Sequence, residues 1–369
     1  MEEVRTNLDR HLVAGETTIL NLCGFCLEEE LDRVRDHAAR VYAATTHAPA
    51  CLKVARLFDG RGLTPAHESR TVEQRLAEGA VAIGEIGSGQ VLGGGAQDYR
   101  HIPEAIERVS GVRLRADQAR ELKWAVLGRY ARPEAFDPGR TAEVLRTLGL
   151  ADRLTPDEAR RAVEGSVLQP LGAALASFEE AAQLAERTGR AAIFHTGTTS
   201  IEEIVRLAER YPRARLVAGH SNGADFPLDE NLEWCRRLRA RGVVVDISTW
   251  DSPGRAVQAD PKKFVALLAA GVVDTVSTDF GGGAWEPIVK GLAMAVRAQA
   301  LTVPAAVALA TGNVARALPE LARDRGLLSR GKLADLVVTA PDDLARVRTV
   351  VVGGRVVARY GRRTETAKR

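Results

Sequence analysis

Four cysteines in 369 residues (Cys23, Cys26, Cys51 and Cys235) are too few for a disulfide framework, and in a reducing compartment they stay thiols. No run reaches the roughly 18 apolar residues of a membrane-spanning helix. The opening MEEVRTNLDRH likewise lacks the apolar stretch of a signal peptide. These absences predict a cytoplasmic protein that engages no membrane. An excess of one charge is missing too: 51 basic residues face 48 acidic ones, for a net charge of +3. No extended basic stripe is left to follow a nucleic-acid backbone. The one locally basic stretch, RYGRRTETAKR, reads as a solvated terminus. No G-x-G-x-x-G follows the first predicted strand, which weighs against an open dinucleotide-binding sheet.

The chain that remains is 45% hydrophobic and 27% charged, the composition of a globular protein with one large domain and an appendage. One module recurs from residue 11 to residue 283: a short run rich in Val, Ile and Ala, a polar or glycine-containing turn, then a segment of helical period. Alternation of this kind predicts parallel strands with crossover helices. The strands fall at 17–24, 41–47, 80–87, 191–197, 214–221, 243–249 and 274–281. Ser200-x-x-Glu203 and Ser177-x-x-Glu180 read as capping boxes opening the helices on either side of AAIFHTG. Seven strands ending in polar residues predict an α/β fold, a (β/α)8 barrel lacking one strand.

Two regions break the rhythm. A mostly helical insertion at about 98–176, which includes the capping box Thr155-Pro156-Asp157-Glu158, leaves a strand's C-terminal end and is expected over the barrel mouth as a lid. After the barrel domain, 1–325, residues 326–360 switch to short strands around glycine turns, and 361–369 form a basic tail.

In such a barrel the active site forms at the C-terminal ends of the strands. Here those ends read Cys23, His47, Glu85, His195, His220, Ser248 or Thr249, and Asp279. Two histidines, a glutamate and an aspartate from four strands have the composition of a catalytic zinc or iron site, with manganese a further possibility. A strand-end histidine alone is more often a hydrogen-bonded mouth residue, and Glu85 alone could cap a turn; the four in register carry the metal reading. Cys23-Gly24-Phe25-Cys26 lies where the first predicted strand passes into its helix. A redox role for this pair would call for a thioredoxin-like domain, which seven barrel strands do not provide, so Cys23 is read as a substrate contact, as are His47 and Asn222. Met294 and the tryptophans read as packing. Gly281–Gly283 read as room for substrate, with a phosphate cradle as the alternative.

At these residues the chain resembles the amidohydrolase superfamily of metal-dependent hydrolases. The resemblance runs from Val13 to Val357 and rests on G-E-I-G, F-H-T-G, G-H-S-N and S-T-D-F, then on ATGNVARAL, GLLSRGKLADLVV and VVVGGRVV, which look like the family's return to a small β-sandwich. Within the superfamily the chain looks most like the enamidase and dihydroorotase kind. The resemblance implies that Glu85 bridges metals, that His195 and His220 ligate one ion, and that Asp279 ligates the other while serving as general base. It implies hydrolysis of a C–N bond in a small-molecule substrate, most simply a cyclic amide, by a water that a divalent metal acidifies toward pKa ~7. An amidine deaminase and a non-catalytic scaffold subunit are the alternatives.

The chain departs from the family at its start. The family's first strand ends in His-x-His, whereas here the chain begins with the helix before the second barrel strand, and His11 has no partner two residues away. One ion is therefore expected in this chain, and two if an upstream His-x-His strand exists. A barrel opened there exposes two edges. An upstream extension is the favoured account; a neighbouring subunit in a homo-oligomer, or the N-terminal helix packed into the gap, is the other.

Overall fold

The structure, a computed structural model, describes residues 2–59, 62–87, 97–249, 260–280 and 285–364. Seven parallel strands form one sheet in chain order: β1 (Thr18–Asn21), β2 (Arg40–Thr45), β3 (Ala82–Ile86), β4 (Ala192–His195), β5 (Leu216–Gly219), β6 (Val244–Ser248) and β7 (Thr275–Ser277). Each coincides with a predicted strand and is shorter than predicted, because the polar ends leave the ladder to line the mouth. Gly281–Gly283 lie outside the described residues. The sheet curls into a half-barrel with helices on its outer face, and no described pairing joins β7 back to β1. Among the described residues, the missing strand of the sequence reading is thus an opening in the sheet.

Alternation along each strand separates two packed layers. On β4, Phe194 faces the helices, where its ring lies 4.8 Å from that of Phe178 on the long helix Pro156–Thr188. Fully burying a side chain of this size contributes roughly 1.5–3 kcal/mol. Ile193 faces inward, packed with Ala44, Ala82 and Val217. His195, two residues on, shares that inner face.

The insertion supplies helices Ile102–Ser110, Ala116–Leu127, Pro138–Thr147 and the first half of Pro156–Thr188. The Thr155 box is formed: Thr155 Oγ1 accepts from Glu158 N at 3.3 Å and Glu158 Oε2 accepts from Thr155 N at 2.9 Å. The turn after the second helix docks on the loops that follow β4 and β5. There Thr198 Oγ1 donates to Arg129 O at 2.6 Å and Arg129 Nη1 donates to Asp225 O at 2.9 Å.

Two expected capping boxes are corrected. Ser177 lies inside the 33-residue helix and its hydroxyl donates back to Ala174 O at 2.6 Å, because the apolar stripe runs unbroken past it. Ser200 precedes helix Ile201–Arg210 but does not cap it; its hydroxyl accepts from Gly197 N at 3.0 Å and donates to His195 O at 2.8 Å. The competing local turn takes the hydroxyl that the capping box would need.

The C-terminal strands β8 (Leu336–Ala340), β9 (Asp343–Val352), β10 (Arg355–Arg359) and β11 (Arg362–Arg363) form an antiparallel sheet. The N-terminal helix Glu2–Val13 lies against it, with Leu12 fully buried among Val350, Val352 and Val357. The end of that helix reaches the β7 side of the opening. His11 stacks on Trp285, 4.2 Å between ring centroids, meets the edge of Phe280 at 4.8 Å, and bonds the Glu16 carboxylate. Glu16 in turn accepts from Ile288 N at 3.0 Å. No helix among the described residues is long and apolar enough to cross a membrane.

Candidate metal centre

The inner face carries the chemistry, and two of its three central side chains reach it by breaking the strand period. On β3, Ile83 pairs with Ala192 and Ile86 with Phe194, so β3 holds one extra residue between these pairs. This bulge turns Glu85, which strict alternation would set on the face of Ile83, toward the interior. Gly84 makes it possible. Its φ is +136°, and a Cβ there would stand 2.6 Å from Ile193 O. On β5, Leu216 and Ala218 pack toward the helices, and alternation would send His220 after them. Instead His220 adopts φ +35°, a left-handed conformation that costs a non-glycine residue about 1–3 kcal/mol and re-aims its ring inward.

The result is a compact trio. His220 Nε2 lies 2.7 Å and His195 Nδ1 3.5 Å from Glu85 Oε1, and the two imidazoles meet edge-on with centroids 4.5 Å apart. One donor atom from each of the three falls within 4.8 Å of the others. Ligands at zinc bond lengths in a tetrahedral shell are about 3.3 Å apart, a spacing that 2.7 and 3.5 Å bracket. One carboxylate and two imidazoles are also the donors that a borderline divalent ion takes. Burial works against the Glu85 charge, but hydrogen bonds from His195 and His220 outweigh it and hold the carboxyl well below the usual carboxylate range. The acid is ionised and ready to bind a cation.

Asp279 stands outside the trio. It follows β7 with φ +52° and lines a crevice with His220, Asn222, Gly223 and Ser248. Asn222 sits in that crevice but is tied to β6: its Nδ2 donates to Ser248 O and its Oδ1 accepts from Ser248 N, both at 2.9 Å.

The other two candidate contacts lie elsewhere. His47 is buried, its ring edge-on to Phe25 and its Nδ1 3.0 Å from Thr45 Oγ1, while Nε2 has no hydrogen-bond partner. Burial, helped by the positive charge of Arg75, lowers its pKa to about 4. It does not line the crevice. Cys23 is exposed beyond β1, next to Leu22, whose carbonyl accepts from Glu85 N at 3.1 Å. None of the four cysteines is in a disulfide. Burial raises the Cys51 and Cys235 thiols to about 12, which keeps them protonated.

One residue of the inner face escaped the sequence reading. Asp246, in the middle of β6, accepts from Thr275 Oγ1 at 2.7 Å, from Ser277 Oγ at 2.6 Å and from His220 N at 3.3 Å. Burial pushes its pKa up to about 6 against the pull of these donors. An aspartate inside the otherwise apolar run VVVDI was the available signal.

No family model matches the chain, and no curated protein matches it in sequence. Solved structures do. The L-hydantoinase (dihydropyrimidinase) of Arthrobacter aurescens superposes with a TM-score of 0.53 at 12% identity, covering 97% of this chain and 81% of that one. The N-isopropylammelide isopropylaminohydrolase of Burkholderia multivorans gives 0.47 at 16% identity, over 98% of this chain and 75% of the other. The β-aspartyl dipeptidase of Fervidobacterium islandicum gives 0.39 at 17% identity, over 54% of this chain. The chain spans about half the length of that dipeptidase, 53%. With its curled parallel sheet and antiparallel C-terminal sheet, the chain shares the metal-dependent-hydrolase type of barrel fold seen in that hydantoinase, opened between β7 and β1 among the described residues.

Proposed function

We propose that the chain is a metal-dependent hydrolase that cleaves a C–N bond, most simply in a cyclic amide. The observation that carries this reading is the convergence of Glu85, His195 and His220, two of them re-aimed off the strand period to meet. These three would hold one divalent ion, zinc by preference, which when bound acidifies a water and polarises the carbonyl under attack. Asp279, across the crevice wall from His220, is the general base: its carboxylate takes the proton from the attacking water and returns it to the leaving nitrogen. Asn222 and Ser248, braced against each other, form a rigid wall of the crevice. The test is metal content of the purified chain together with turnover of a panel of cyclic amides. Zinc at about one per chain with ring opening supports the reading. Ammonia release from amidines instead would make it a deaminase, and neither metal nor turnover would make it a scaffold.

A further inference from the structure

The mouth of the half-barrel has to hold His220 in a backbone conformation that a histidine rarely adopts, and one buried carboxylate sits where that restraint is applied. Beyond Ala218↔Val245 the regular pairing of β5 with β6 stops. The next two amides of the β5 end both go to the same residue of β6: His220 N donates to Asp246 Oδ2 at 3.3 Å and Ser221 N donates to Asp246 O at 2.7 Å. On its other side Asp246 faces Thr275 in the ladder, and its two carboxylate oxygens accept from Thr275 Oγ1 at 2.7 Å and Ser277 Oγ at 2.6 Å. Ser277 is two residues from Asp279. The Asp246 side chain therefore bolts the turn that aims His220 to the strand that presents Asp279.

We infer that Asp246 is the positioning residue of the centre, fixing the His220 turn so that the imidazole points at Glu85 rather than toward the outer helices. This inference rests on the trio being a metal site. Asp246 touches neither substrate nor ion; it acts through the His220 amide, and outer partners of this sort typically tune metal affinity by 10–100-fold.

The experiment titrates the whole chain with zinc against a chromophoric chelator and records the visible spectrum of the cobalt-loaded chain. Asp246→Ala is expected to weaken zinc about 10–100-fold and to change the cobalt bands. Asp246→Asn is expected to stay within about threefold of wild type, since its oxygen can accept from His220 N and Ser277 while its NH2 donates to Thr275. Thr275→Val removes a bond to the same carboxylate without touching His220 and is expected to leave zinc affinity and cobalt bands at wild type. Asp246→Thr, a strand former whose single hydroxyl is too short to span the same donors, serves if the alanine variant does not fold, and is expected to lose zinc in the same way. Wild-type zinc affinity and cobalt bands in folded Asp246→Ala or Asp246→Thr overturn the positioning role alone. A wild-type chain that takes up neither zinc nor cobalt removes the centre, and the role with it.

Discussion

His220 Nε2 and Glu85 Oε1 lie 2.7 Å apart, although both side chains would face the outer helices if β3 and β5 kept the strand period. A bulge turns one and a left-handed residue turns the other. Two separate departures from regular backbone that end in one contact make the trio the focus of the mouth. Removing either histidine should therefore empty it. His195→Ala and His220→Ala are each expected to weaken zinc beyond the 10–100-fold typical of an outer partner, because each removes a proposed ligand itself. Metal analysis of dialysed protein checks this, and wild-type zinc in either variant would sink the assignment.

Asp279 lines the crevice yet stands outside the trio, so the proposed base and the proposed ligand set can be separated by mutation. Asp279→Asn is expected to lower turnover by about 10²–10⁴-fold, since an amide cannot accept the proton from water. Zinc at the trio should stay at the wild-type level. Parallel loss of metal and turnover would instead make Asp279 a ligand of the retained ion.

The buried His47 imposes a pH dependence on stability. Its pKa falls from 6.5 to about 4 on folding, so the unfolded chain binds the extra proton between these values. Stability is then present above pH 6.5 and is lost as pH falls toward 4, by roughly 2–3 kcal/mol at the lower end. Urea denaturation at pH 7 and pH 4.5 should show His47→Gln losing less stability over that interval than wild type. Equal losses would mean that His47 charges freely in the folded chain.

His11 and Glu16 test the join at the opening. His11 is held between Trp285, Phe280 and the Glu16 carboxylate, and Glu16 also receives Ile288 N. His11→Ala leaves a buried acid without its partner and is expected to cost about 3 kcal/mol. Adding Glu16→Gln, which still accepts from Ile288 N, should recover at least about 1 kcal/mol. A double variant no more stable than His11→Ala, measured by thermal and urea unfolding, would show that the pair is not coupled.

The sequence by itself determined the seven strands, their parallel order and the residues at their mouth ends. Short Val, Ile and Ala runs between helical segments have one low-energy arrangement, and a polar residue closing such a run must leave the sheet. Glu85, His195, His220 and Asp279 were legible for that reason. Ser177 and Ser200 were misread because a capping box is a local pattern, while a continuous apolar stripe on one helix and a tighter turn beside the other decided where the hydroxyls went. Only the tertiary structure decided which strand-end residues meet. His195 follows the strand period inward; Glu85 and His220 do not, and their convergence depends on the register slip at Gly84 and on the hold of Asp246 on the His220 turn. Such departures are set by contacts between strands far apart in the chain, which no spacing of residues along one strand encodes. The place of the N-terminal helix was decided in the same way, since Leu12 also packs on Val350 and His11 also stacks on Trp285, both more than 260 residues downstream.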